Sequence, residues 1–266
     1  MLSDVFNETN NNYLGIYTRL EYYDKWIGSV IHSESSLTTI SDQTIYECDM
    51  SKVSCGCSMT NVVLSSERFI NGEEAIAHSW GMTVSIRFNE SEIHSCTGSI
   101  LTPSYILTSA SCVDGISAEQ MHVVAGMHEL NDFFTHTRYV WDIYIHPHWN
   151  RTDNGSYQND IAILKIQPPL PVDSQDRLSR TCVPYTNSLN ETMNYPSVGS
   201  QLITVSWGST QYGSKNVSNA LQQISTYVMD SRDSNCLPLN LNIENQFCVE
   251  VQGAAGNLKE MTYAYF

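Results

Sequence analysis

From Phe69 onward the chain breaks into short apolar runs separated by turn residues. They are Met82–Phe88, Tyr105–Ser109, His122–Ala125, Tyr139–Ile145, Ile161–Ile166, Leu202–Ser206 and Leu221–Val228. Val, Ile and Tyr recur in them, and none sustains the 3.6-residue period of a helix, so an all-β fold is predicted. The stretch Gln167-Pro168-Pro169-Leu170-Pro171 cannot sit inside a strand and reads as a stiff connector between two halves. Residues 1–47 are polar and aromatic by turns with no clean period, and they read as an extension of uncertain order. A length of 266 residues with 41% hydrophobic content suffices for one large all-β domain or two small ones.

Charge narrows the function classes. Asp and Glu number 28 against 13 Lys and Arg, a formal charge of −15. Nucleic-acid binding rests on cations that neutralise phosphates, so that class is excluded and a solvated acidic surface is expected. Eight cysteines imply an oxidising, extracellular compartment. Asn7, Asn89, Asn150, Asn154, Asn190 and Asn216 each lie two residues before Ser or Thr, as N-glycan acceptors do. No apolar stretch approaches the roughly 18 residues of a membrane helix. Asp4, Glu8, Arg19, Glu21, Asp24 and Lys25 interrupt any apolar core of a secretory leader. A secreted cysteine pattern without a leader leaves three expectations open: a start further upstream, another export route, or a fragment.

Several motifs carry a resemblance. Arg68-Phe69-Ile70-Asn71-Gly72-Glu73 is a basic residue followed by two apolar residues and then Asn-Gly. Next come Ser79–Ile86, Cys96-Thr97-Gly98-Ser99-Ile100-Leu101 and Tyr105-Ile106-Leu107-Thr108-Ser109-Ala110-Ser111-Cys112. Further along stand Asn159-Asp160-Ile161-Ala162-Ile163-Leu164-Lys165, Ser206-Trp207-Gly208 with Leu221-Gln222-Gln223, and Asn245-Gln246-Phe247-Cys248. In this order and spacing, residues 68–253 resemble a trypsin-like (chymotrypsin-fold) serine protease domain. The resemblance implies a double six-stranded β-barrel and proteolysis as the family activity. It places the first barrel at about 69–170 and a second barrel, expected to be incomplete, at about 181–253. Residues 254–266 form a divergent tail, and residues 48–68 a propeptide-like segment with activation cleavage between Arg68 and Phe69.

Acyl transfer in that family requires a Ser nucleophile, a His that takes its proton and a buried carboxylate that orients the His. The resemblance puts the retained acid at Asp160 and the base position, immediately before the second cysteine, at Ser111. A hydroxyl is not a base near neutral pH, so Ser111 cannot replace an imidazole. The Gly-Asp-Ser-Gly-Gly nucleophile loop is absent from these residues, and Tyr263 falls near its Ser position. Losing nucleophile or base costs on the order of 10⁶ in rate. His78, His94, His122, His128, His136, His146 and His148 all lie outside the base position. His146-Pro147-His148 reads as a surface turn, so neither metal nor cofactor is expected.

The resemblance also implies the disulfides Cys96–Cys112 and Cys236–Cys248, and makes Cys182 the tether of the propeptide-like segment. Cys48, Cys55 and Cys57 leave three arrangements open, of which Cys57–Cys182 with Cys48–Cys55 is preferred. Three readings of function follow. The first is a catalytically inactive homologue that acts by binding an unidentified protein. The second is a truncated or mispredicted product of a secreted protease gene, and the third is an active serine endopeptidase.

Overall fold

The computed structural model describes residues 12–31, 55–64, 72–89, 93–133, 135–151, 157–172, 177–183, 196–208, 218–237, 241–252 and 262–264. The chain opens with β1 (Asn12–Thr18), a 3-10 turn (Leu20–Tyr23) and α1 (Asp24–Val30). After β2 (Glu73–Glu74) come β3 (Thr83–Phe88), β4 (His94–Thr102) and β5 (Tyr105–Thr108). The single-turn α2 (Ala110–Val113) leads to β6 (Met121–Ala125) and β7 (His136–Ile145). A small hairpin, β8 (Asn150–Arg151) with β9 (Tyr157–Gln158), precedes β10 (Ala162–Gln167). The second half carries β11 (Gln201–Ser206), β12 (Gln222–Val228), β13 (Gln246–Gln252) and β14 (Thr262–Ala264).

Six strands of the first half close into an antiparallel barrel in the order β10-β5-β4-β3-β6-β7. Val84, Ile86, Ile100, Ile106, Val123 and Leu164 fill it, as alternation along each strand requires. Thr83 and Ser85, on the opposite face of β3, are buried as well. A second apolar layer explains this: Trp80, Met82 and Val124 pack against Ile203, Val205 and Trp207 of the other half. Close approach is built into β4, where a Cβ at Gly98 would lie 2.7 Å from Ile106 Cγ2 and 3.1 Å from the Leu107 carbonyl oxygen. Gly98→Ala is therefore expected to lose about 1–3 kcal/mol by overpacking, read as a lowered urea midpoint.

The second half is a six-stranded sheet in the order β1-β13-β12-β11-β14, with β2 also paired to β12. The all-β class holds, and the closed barrel is the first one. Residues 12–31, which the sequence leaves without a period, supply a strand and a helix to the second sheet. β1 runs antiparallel to β13 from Asn12 opposite Gln252 to Thr18 opposite Gln246. Leu20, Tyr23, Ile27 and Ile31, spaced three or four apart, bury one stripe. Together with Tyr17 they form a core shared with Leu101, Tyr105, Leu107, Ile161 and Ile163 of the first barrel and Leu202, Ile224, Phe247 and Val249 of the second sheet. Within the tail, β14 pairs with β11 and sets Tyr263 opposite Thr204. The second sheet thus receives strands at both margins, from β1 and from β14, and an unpaired edge of β13 is avoided.

Disulfides Cys96–Cys112 and Cys236–Cys248 form with Cα separations of 6.2 and 6.1 Å. The preferred tether is corrected: Cys55, not Cys57, bonds Cys182, with Cα atoms 5.2 Å apart. Backbone geometry decides it. Gly56, at φ 74°, donates its N–H to the Arg180 carbonyl at 2.6 Å. That bond lays residues 55–56 beside 180–182 and brings Cys55 to Cys182, which also removes the Cys48–Cys55 pairing. Cys57 is itself disulfide-bonded, while Cys48 lies outside the described residues.

Candidate active-site remnant

Ser111 sits in the single turn of α2, whose early N–H groups have no partner inside the helix. Its backbone N–H donates to Asp160 Oδ1 at 2.7 Å and its Oγ–H to Asp160 Oδ2 at 2.9 Å. Asp160 is 0% exposed, and Ser111 alone supplies a donor to each oxygen of the buried carboxylate. Ser111 itself is exposed at the surface above it. The bond Cys96–Cys112 pins the end of this turn to β4.

The loop carrying Asp160 is held in an unusual conformation. Asn159 has φ 53°, a left-handed position that Asn tolerates better than most residues. Its Oδ1 accepts from Tyr23 Oη at 2.9 Å and from Asn245 Nδ2 at 3.2 Å, and its Nδ2 donates to the His148 carbonyl at 2.8 Å. The N-terminal segment, the second sheet and the β8 hairpin approach thus all grip the residue that aims Asp160. Burial, with the charge of Tyr22 and then of Asp160 nearby, pushes the Tyr23 phenol upward, so it stays a neutral donor.

The described imidazoles are engaged elsewhere. His146 packs edge-on against the rings of Tyr23 and Trp26, and its Nδ1 accepts the His148 N–H at 3.2 Å, the closure of the expected turn. Burial lowers its pKa, and His148 lowers it further. His94 bonds Ser85 Oγ through Nδ1 at 2.8 Å, with Thr97 Oγ1 3.5 Å from Nε2. His128 Nε2 meets Glu74 at 3.0 Å, with the His78 ring beside it, and His122 Nδ1 meets Asn89 Oδ1 at 2.9 Å. His136 begins β7, half-buried. Among the described residues, no three His, Cys, Asp or Glu side chains converge as metal ligands would.

Other expected positions divide between the described residues and the rest. Arg68, Phe69, Asn7, Asn154, Asn190 and Asn216 lie outside them. Asn89 and Asn150 are exposed, although Asn89 Nδ2 already donates to the Glu119 carbonyl at 2.6 Å. Trp207 is fully buried and donates its indole N–H to the His128 carbonyl at 2.8 Å. No described helix is long and apolar enough to cross a membrane.

The fold agrees with the comparisons. A family model described as Trypsin matches residues 69–257. The chain belongs to the trypsin family. Ovochymase of Halocynthia roretzi is 32% identical over 59% of this chain, which corresponds to 10% of its own length. Chymotrypsin-C of Bos taurus is 30% identical over 51% of the chain and 50% of its own length. Brachyurin of Leptuca pugilator is 25% identical over 70% of the chain and 76% of its own length. The chain spans half or less of the length of the first two relatives. As a trypsin-family domain it carries the Cys96–Cys112 bridge, and the Ser111 hydroxyl beside that bridge is bonded to the buried Asp160.

Proposed function

We propose that this trypsin-family domain does not hydrolyse peptides by the family's mechanism and acts extracellularly by binding a protein. One observation carries the reading. Ser111, which the family resemblance puts at the base position, gives both its N–H and its O–H to Asp160. With no imidazole there, the retained acid has nothing to orient and no alcohol is relieved of its proton. Asp160 then serves as an anchor for α2. Three disulfides among the described residues support the extracellular placement.

Purified protein is expected to resist a fluorophosphonate probe from acid to alkaline pH and to show no saturable peptide cleavage. Covalent labelling, or cleavage blocked by a covalent serine inhibitor, would sink the proposal. The small share of ovochymase that is matched, 10%, favours a second reading in which these residues are one portion of a longer secreted product. Sequencing the transcript past codon 253 tests it: a Gly-Asp-Ser-Gly-Gly frame supports it, and its absence removes it. Ser111 would leave even that product without its base.

A further inference from the structure

The register between β7 and β10 slips at one point. Lys165 faces Asp142 and Ile166 faces Val140, so Trp141 has no partner on β10 and forms a β-bulge. The bulge turns Trp141 and Asp142 outward together, while Val140 and Ile143 keep to the barrel core. Trp141 is 66% exposed, and Tyr139, two residues before it on the same outer face, is 72% exposed. Pro168 and Pro169 stand beside them and close a concavity of about 610 Å³. Single exposed aromatics need no explanation, but two rings gathered with two prolines in a hollow of ligand size do.

The proline wall is fixed before any ligand arrives. Arg138 donates its Nε–H to the Pro169 carbonyl at 3.2 Å, and Leu170, buried in the first barrel, its N–H to the Pro103 carbonyl at 2.8 Å. Binding therefore costs little in ordering the groove. The polarity of the lining selects the ligand. Trp141, Tyr139, Lys165, Gln167 and Ser104 all donate hydrogen bonds, and no lining side chain is a carboxylate, which only accepts. Asp142 turns its Oδ1 to the Ile143 N–H at 2.9 Å and lines no part of the groove. A sugar, whose hydroxyls donate as well as accept, would leave donors facing donors here. A polyproline segment presents carbonyls without N–H groups, and its pyrrolidine rings pack on aromatic faces. The one charge in the lining is the Lys165 ammonium, 5.8 Å from the Tyr105 ring centroid in a chain of net charge −15, and it complements an acidic ligand.

We propose that the groove of Tyr139, Trp141, Lys165, Pro168 and Pro169 binds an extended proline-rich segment of another protein, with an acidic residue placed against Lys165. The inference gives a partner class to the binding role above and rests on it, but not on the loss of catalysis. Lys165 is about 16 Å along the extended chain from Asp160, so the groove works apart from the Ser111–Asp160 pair.

The test titrates the full-length protein into a fluorescein-labelled peptide of repeated Pro-Pro-Asp, followed by fluorescence anisotropy. Its carboxylates recur along one ridge of the three-residue polyproline helix. Saturable binding is expected, about 2–5-fold weaker when Lys165→Gln removes the cation or repeated Pro-Pro-Lys replaces the acidic peptide. Trp141→Ala should weaken it about thirtyfold, the loss that follows removal of a central aromatic anchor. If that variant does not fold, Tyr139→Ser, at a still more exposed position, gives an independent reading with about a tenfold loss. The proposal is overturned by an absence of saturable binding, by equal binding of repeated Gly-Gly-Asp, or by binding indifferent to both aromatic substitutions. Displacement of the peptide by a tighter-binding mannose-rich oligosaccharide overturns it too. None of these outcomes alters the fluorophosphonate result, so this inference and the loss of catalysis fail separately.

Discussion

Tyr17→Ala is expected to lower the stability of this chain by about 3–5 kcal/mol, the loss typical of a large aromatic removed from a closed core. Tyr17 is 0% exposed, stacks on Phe247 and joins a core that draws on both halves. Its removal leaves a cavity between β1 and the second sheet and strips Thr204 Oγ1 of a partner. Against a typical total of about 5–15 kcal/mol, that is a third or more of the stability. Tyr17→Phe keeps the ring and should lose only about 0.5–1.5 kcal/mol, the ordinary worth of one hydrogen bond. Urea unfolding followed by tryptophan fluorescence separates the two, with the midpoint moving and the slope preserved. A loss below about 1 kcal/mol for Tyr17→Ala would mean that β1 does not seat on β13.

That result bears on how far the sequence could be read. The strands from Phe69 onward were legible because short runs rich in Val, Ile and Tyr, bounded by turns and without a helical period, leave little choice. Tyr105–Ser109 becomes β5 and Leu202–Ser206 becomes β11 within a residue. Asp160 and Ser111 were singled out for a different reason, the family resemblance of the motifs around them, and the structure has Ser111 donating to Asp160. The N-terminal segment, residues 12–31, was not. Its strand is buried on both faces, with Ile16 on one and Tyr17 on the other, and its partner, β13, lies more than 200 residues away in sequence, so no local alternation announces the pairing. Its helical half did carry a signal in Leu20, Tyr23, Ile27 and Ile31, spaced three and four apart. The aromatic and charged residues between them mask that stripe. The tether failed for a third reason. Cys55 and Cys57 are equivalent in composition, and only the positive φ of Gly56 and its bond to Arg180 turn one of them toward Cys182.

Acid should destabilise the fold through His94 well before the surface carboxylates titrate. His94 is 5% exposed, bonded to Ser85 and edge-on to Trp207. Burial first, and the Arg87 charge second, bring its pKa down to about 3. In the unfolded chain the same imidazole titrates near its ordinary value of about 6.5. Between those values the unfolded state binds a proton that the folded state refuses, so stability falls as pH drops from about 6.5 toward 3 and is flat for this group above 6.5. The slope is about 1.4 kcal/mol per pH unit, and the full span amounts to on the order of 4–5 kcal/mol. Glu21 acts with the opposite sign. Burial raises its pKa despite Arg19 at 3.6 Å, so acid relieves its buried charge rather than adding to the loss. Urea titrations of the parent and of His94→Gln at matched pH isolate the imidazole, because the remaining carboxylates are common to both. The gap between the two curves should narrow steadily as pH falls from 6.5 to 4.5, by roughly 2–3 kcal/mol. Parallel curves across that window would show that His94 accepts its proton in the folded protein. The Ser85–His94 bond would then not be part of a closed core.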